Sequence, residues 1–367
     1  MPTFQYANPE TIHWGPGILR EKLDGELKRV GARRAFVITT HSATREKALA
    51  PAVEALLGDR FAGRFADIGQ HAPARSVMAA VLAAREARAD ALVSIGGGSP
   101  IDAAKTVAFS LASGLDVTLP DAPTRSRSMK LERTLPHLSV PTTLSVAELA
   151  GSAGFTAEGT KEKVGVAAPQ LRPAAVFYDA ELAVKTPLDL WLSTGIRAVD
   201  HAVETLLAPG EHPLPDAAAL DGLRRLQKGL LAVKANPADL AARTECQLGA
   251  WHSYLLPGPA AKGLSHTLGK RLGSRHDIPH GVTSCLLLPH VMRYVAPRAP
   301  ETMKRIADAL DASDAADGVA RLIFRLGLPN HLAAYKLSDA DLREAVRPVA
   351  NSENSEDALL GILRAAL

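Results

Sequence analysis

A short apolar run at 91–95 (Ala-Leu-Val-Ser-Ile) ends at once in Gly96-Gly97-Gly98, and a helical pattern follows over 101–111. A buried strand that turns through glycines into a helix is the start of a βαβ unit, which brings a parallel sheet with it. Ser99 reads as the N-cap, Pro100 as the first helical residue and Asp102 as a capping-box acid. Three residues without a Cβ let the backbone come close to a ligand. The helix N-terminus then offers N–H groups and a positive dipole end to an anion. A pyrophosphate is the natural occupant; the bland alternative is a tight turn with no ligand. The run is not the GxGxxG fingerprint, so an ordinary Rossmann dehydrogenase is not indicated.

The same alternation runs through the first half. Strands are expected at 35–39, 91–95 and 138–140, the last ending at Pro141, with a helix over 78–89 between the first two. The polar, basic stretch 121–132 reads as a loop. From about Leu188 the strand signals fade. Helical periods are expected over 193–207, 217–235, 237–254, 301–310 and 315–326, with Asn236 as N-cap and Pro237 as first residue of the third. The fold class is therefore α/β: an N-terminal dinucleotide-binding parallel-sheet domain (1–187), then an all-helical C-terminal domain (188–367).

Composition narrows the function classes. The 367 residues carry 47% hydrophobic and 22% charged side chains, which excludes a disordered chain or a collagen. A net charge of +3 without a basic block gives no reason to expect nucleic acid. No basic stretch followed by an apolar run opens the sequence, and no apolar run reaches membrane-spanning length, so neither a signal peptide nor a membrane anchor is expected. Cys246 and Cys285, far apart, read as reduced packing residues and point to the cytoplasm.

Three of twelve histidines stand out. His201 lies in a helical period, and His266 and His280 are fourteen residues apart, too far to share one straight helix face. Imidazoles suit zinc or iron. Histidines this far apart are also what ordinary core and surface positions supply.

These segments together resemble the iron-containing (group III) alcohol dehydrogenase family over nearly the full length, nearest its maleylacetate reductase branch. Phe4 and Gly15-Pro16-Gly17 resemble the family's opening hairpin, and Gly96 to Lys105 its cofactor loop. Pro141-Thr142-Thr143 resembles a second cofactor motif, and Lys163, ten residues before Pro173, sits where the family keeps a cofactor-contacting lysine. The segments 195–204 and 266–281 match the family's two metal-site segments, and 288–292 matches its next conserved stretch. The resemblance implies a dehydroquinate-synthase-like fold, an active site in the cleft between the domains, hydride transfer from NADH or NADPH to a carbonyl or activated alkene, and a homodimer. Thr40 replaces an aspartate that would hold the ribose 2′-hydroxyl, which permits NADPH without excluding NADH. Cofactor-binding residues are then Thr40, Gly96, Gly97, Gly98, Ser99, Asp102, Thr142, Thr143 and Lys163.

The departures from the family carry the mechanism. Its metal-ligating aspartate is Arg197 here, four residues before His201, and a further family histidine is Lys270. A guanidinium cannot be a ligand. Asp200 lies about 100° around the helix from His201 and is a poor replacement. His201, His266 and His280 hold iron or zinc only if they manage without the carboxylate. The expected catalytic set is Arg197, His201, His266, Lys270 and His280. Arg197, with Lys270, would supply positive charge to an oxyanion or grip a substrate carboxylate, and His201 or His280 would move the proton. The expected activity is NAD(P)H-dependent reduction of a small anionic carbonyl or enoate compound. Two alternatives keep the fold: a metal-independent non-redox reaction, or a non-catalytic dinucleotide-binding protein. In the second, Arg197 is only a structural ion pair.

Overall fold

The computed structural model describes residues 7–45, 49–159, 163–255 and 263–367. They form two compact units, Ala7–Thr186 and Pro187–Leu367.

In the first unit six strands make one parallel sheet: β1 (Thr11–Trp14), β2 (Ala35–Ile38), β3 (Phe61–Phe65), β4 (Ala91–Gly96), β5 (His137–Pro141) and β8 (Ala175–Tyr178), in the order β1-β8-β5-β4-β2-β3. The chain steps outward from β2 to β3, then returns to β4 on the other side of β2. The direction of winding therefore reverses between β2 and β4. Beyond the carboxyl ends of two such strands, open α/β sheets bind their ligands.

Alternation along each strand builds two cores. Phe36, Ile38 and Leu92 face the helices Ala74–Glu86 and Gly98–Ser113. Ala35, Val37, Ala91, Val93 and Ile95 face Ile18–Arg29 and Leu49–Leu57. Asp179, just past β8, accepts from the backbone N–H of Gly17 (3.0 Å) and Leu19 (3.1 Å), so one carboxylate seats the start of helix Ile18–Arg29 against the sheet.

Several expectations need correcting. Gly15-Pro16-Gly17 does not turn a hairpin. It leads from β1, parallel to β8, straight into a helix, with Gly17 at φ 74°. Phe4 lies outside the described residues. Five strands had no clear signal: β1, β3, β8 and the antiparallel pair β6 (Ser152–Thr156) and β7 (Lys163–Ala167). The basic stretch at 121–132 contains a helix, Ala122–Ser128. The glycine-turn helix starts at Gly98 with Gly97 as N-cap, so Ser99 is not the cap and Asp102 makes no capping box. Asn236 ends the helix Pro213–Ala235, and the next helix starts at Leu240, capped by Asp239, whose carboxylate accepts from Ala242 N–H at 2.9 Å.

The second unit is helical. Helix Leu188–Leu206 is buried at every residue from Trp191 to Leu206, so it is wrapped on all sides. Gly195 allows this: a Cβ there would lie 2.3 Å from Leu230 Cδ2 on helix Pro213–Ala235. Gly281, on helix His280–Val295, allows a second close approach, since its Cβ would lie 2.6 Å from the Ser193 backbone. Polar side chains at 197, 200, 201 and 204 are thereby carried into the interior. Among the described residues no helix is long and apolar enough to cross a membrane. Cys246 and Cys285 are both buried and unbridged, and burial pushes the Cys246 thiol up to about 12.

Candidate active site

In the sheet unit the glycine turn and the second threonine motif meet. Gly96 pairs in register with Pro141, and Thr142 N–H donates to Gly96 O at 2.9 Å. Gly96 has φ 134°, a conformation L side chains avoid, and a Cβ there would lie 2.8 Å from Pro100 Cγ. A Cβ on Gly97 would lie 3.2 Å from Thr143 Cγ2, and one on Gly98 3.4 Å from Ser145 Oγ. Glycine at both positions therefore lets this backbone pass close to Thr143 and Ser145. Thr143 Oγ1 and Ser145 Oγ are buried hydroxyl oxygens with no hydrogen-bond partner among the described residues. Buried hydroxyls without partners are uncommon, and here they border a helix N-terminus. Glycine turn, hydroxyls and helix N-terminus fit a bound phosphate chain.

The remaining candidates in this unit are placed as follows. Thr40 follows β2, with its hydroxyl 3.1 Å from Ser42 Oγ. Ser99 Oγ accepts from His71 N–H at 3.0 Å. Asp102 lies 3.5 Å from Lys105 Nζ. Thr142 and Thr143 are both buried, and Thr142 O accepts from Thr186 Oγ1 at 2.6 Å. Lys163 opens β7, its stem crossing Gly154, where a Cβ would lie 2.5 Å from Lys163 Cε.

In the helical unit three helices converge on Arg197, which is 5% exposed. Its Nη1 donates to Asp200 Oδ2 (3.1 Å) and to Ser284 Oγ (2.9 Å), and its Nη2 donates to His266 Nδ1. Asp200, fully buried, also accepts from Ser284 Oγ (2.6 Å) and Ser265 Oγ (2.9 Å). Arginine only donates, so His266 Nδ1 must accept, and the ring proton then resides on Nε2. His201 lies beside this group, its ring centroid 6.0 Å from that of His266 and 5.0 Å from that of Tyr254. Glu204, one turn past Asp200, accepts from His266 N–H at 2.9 Å. Burial, reinforced by the Asp200 charge, raises the Glu204 carboxyl to about 8, against the pull of Arg197. Burial also raises Asp200, opposed mainly by Arg197. Lys270 follows His266 by one turn and is exposed. His280 opens helix His280–Val295, with Nδ1 3.5 Å from where a Cβ on Gly273 would be. Among the described residues no three His, Cys, Asp or Glu side chains are grouped to hold a metal ion.

Sequence reasoning named Arg197, His201 and His266, which the fold brings together. It weighed Asp200 only as a metal ligand and passed over Glu204, Tyr254, Ser265, Ser284 and Ser145. The i, i+3 spacing of Arg197 and Asp200 was a usable signal for an ion pair on one helix. Nothing local marks Ser265 or Ser284, which reach the cluster from other helices.

Comparison with known proteins agrees with this architecture. Residues 9–180 match the family model described as iron-containing alcohol dehydrogenase, and residues 191–358 match that of the Fe-containing alcohol dehydrogenase family, C-terminal. A maleylacetate reductase of Burkholderia cepacia is 35% identical over 90% of this chain and 86% of its own. One from Sphingobium indicum is 33% identical over 94% and 90%. The crystal structure of maleylacetate reductase from Agrobacterium tumefaciens superposes with a TM-score of 0.85 at 30% identity, covering 100% of this chain and 99% of that one. The chain belongs to the iron-containing alcohol dehydrogenase family and is an oxidoreductase. Within that family it stands in the maleylacetate reductase branch.

Proposed function

We propose that this protein reduces a small anionic carbonyl or enoate compound of the maleylacetate type with NADH or NADPH, and that it does so without a catalytic metal. The observation that carries the proposal is the buried guanidinium of Arg197 donating to His266. It stands in the segment where the family keeps a metal-ligating aspartate. The side chains do not fit a divalent cation: a fixed positive charge occupies the cluster, and His266 has neither ring nitrogen available as a lone-pair donor.

The glycine turn at Gly96, Gly97 and Gly98, at a helix N-terminus, would take the dinucleotide phosphates, with the unpartnered Thr143 and Ser145 hydroxyls beside it as candidate donors. Ser99, Asp102, Thr142 and Lys163 would complete that site, and Thr40 would face the adenosine ribose. When bound, the reduced nicotinamide supplies a hydride. Arg197 carries more N–H groups than its bonds to Asp200, Ser284 and His266 use, and the rest would meet a substrate carboxylate or a developing oxyanion. Asp200 and Ser284 hold the guanidinium still, so little reorganisation is needed as charge develops. His201 would deliver the proton that balances the hydride, to oxygen for a carbonyl or to carbon for a conjugated enoate. Lys270 and His280 would attract and orient the anion. An exposed lysine suits the first of these tasks.

The test is steady-state oxidation of NADH and NADPH with maleylacetate as acceptor, on protein dialysed against chelator and checked by elemental analysis. The expected result is full turnover with metal far below one equivalent. Activity lost on dialysis and restored by iron or zinc would overturn the metal-free mechanism. Absence of turnover despite dinucleotide binding would favour the non-redox alternative.

A further inference from the structure

The Lys105 side chain is 0% exposed, although it belongs to the helix that starts at the glycine turn. Its Nζ donates to three backbone carbonyls: Ala147 O at 2.7 Å, Ala150 O at 3.1 Å and Ser152 O at 2.6 Å. Three acceptors require a protonated ammonium, and Asp102 Oδ1, 3.5 Å away, supplies counter-charge. Burial pulls the lysine pKa down, and the carboxylates of Asp102 and Glu148 oppose that pull. All three carbonyls belong to one short segment, 147–152. Just before it stands Val146, buried, with φ 56° and ψ 18°. A β-branched residue in the left-handed region is a genuine outlier that its surroundings must hold in place. On either side of Val146, Ser145 Oγ and Ala147 Cβ lie 3.4 and 3.8 Å from where a Cβ on Gly98 would be.

We propose that Lys105 is a positioning residue for dinucleotide binding. Its buried ammonium clamps segment 147–152, holds Val146 in its left-handed conformation and so fixes the Ser145 wall opposite Gly98. It cannot touch the ligand, because it is sealed from solvent. The inference rests on the reading of the glycine turn as a dinucleotide site.

The test is fluorescence titration of wild type, Lys105→Met, Val146→Gly and the double variant with NADH and NADPH, alongside cofactor KM, substrate KM and kcat. Glycine adopts the left-handed conformation without strain, so it relieves the clamp of part of its task. Lys105→Met is expected to raise the dinucleotide Kd about tenfold or more while kcat at saturating cofactor stays within about twofold. Adding Val146→Gly should return at least about a third of that loss on a logarithmic scale. A folded Lys105→Met that binds like wild type overturns the clamp. So does a loss spread equally over cofactor KM, substrate KM and kcat, or a double variant with purely additive losses. If Lys105→Met does not fold, amide exchange on wild type decides. Segment 147–152 must be protected before any dinucleotide is added, and protection that appears only with NADH overturns the proposal. Wild type that binds neither dinucleotide overturns the reading of the glycine turn, and the positioning role falls with it.

Discussion

Arg197 donates to Asp200, one turn further along its own helix, at 3.1 Å, and with its other Nη to His266 on a different helix. The pair is buried, so each charge depends on the other. Removing one partner of a buried ion pair costs about 3–5 kcal/mol, whereas replacing both by apolar residues is often neutral. Arg197→Met alone should therefore destabilise the protein by about that amount. Arg197→Met/Asp200→Leu should recover most of it while reductase turnover stays down by about a hundredfold or more. Denaturant melts and kcat/KM on the same samples check both. A double variant that regains turnover would reduce the arginine to a structural role.

Restoring a carboxylate should not restore a metal enzyme. Arg197→Asp places two acids on one helix face beside Glu204, and Asp200 loses its cation. Turnover with added iron or zinc should remain below about a hundredth of wild type. Metal-dependent recovery, followed by NAD(P)H absorbance, would show that the helical unit still encodes a metal site.

Gly97→Ala and Gly96→Ala should separate binding from stability. At Gly97 the backbone is extended (φ −82°), and the new methyl meets the Thr143 side chain first, at 3.2 Å. Stability should fall by less than about 1 kcal/mol while the NADH Kd rises about tenfold, because the methyl displaces Thr143 and keeps phosphate from the backbone of the turn. Gly96→Ala meets both a positive φ and Pro100, so its loss should show in the melting temperature as well. Equal NADH affinity in Gly97→Ala and wild type would place the ligand elsewhere.

Glu148 is buried and accepts from Tyr178 OH at 2.9 Å. Burial raises its carboxyl from 4.5 to about 7. The folded state therefore binds a proton that the unfolded chain has released between those values. The stability this contributes is full below about 4.5 and is lost as pH rises through about 7. Glu148→Gln mimics the protonated form and should remove this dependence. Relative to Glu148→Gln, wild type should lose about 3 kcal/mol between pH 4 and pH 9. Parallel stability curves for the two proteins across that range would refute the shift.

Where periodicity and turn chemistry act over a few residues, the sequence was readable. The strands at 35–39, 91–95 and 138–140 are present as β2, β4 and β5, and the helix over 315–326 has the expected ends. Strand β8 escaped notice because four apolar residues after a proline have no period of their own. Only pairing with β1 and β5 makes Ala175–Tyr178 a strand. Ser99 looked like a cap because its residue type suits one, yet its hydroxyl is claimed by the backbone of His71, nearly thirty residues earlier.

The sequence by itself determined the classes of element, the glycine turn at the end of a strand, and the presence of a cation at position 197, because each depends on neighbours within a few residues. Tertiary structure alone decided what that cation does. His266 and Ser284 meet Arg197, and Ser265 meets Asp200, only because three helices pack closely, two of them through the glycine at 281. Likewise, only the packed fold shows that Lys105 faces inward to three carbonyls. Hydrogen bonds between residues tens of positions apart leave no local period, so their partners are settled by packing.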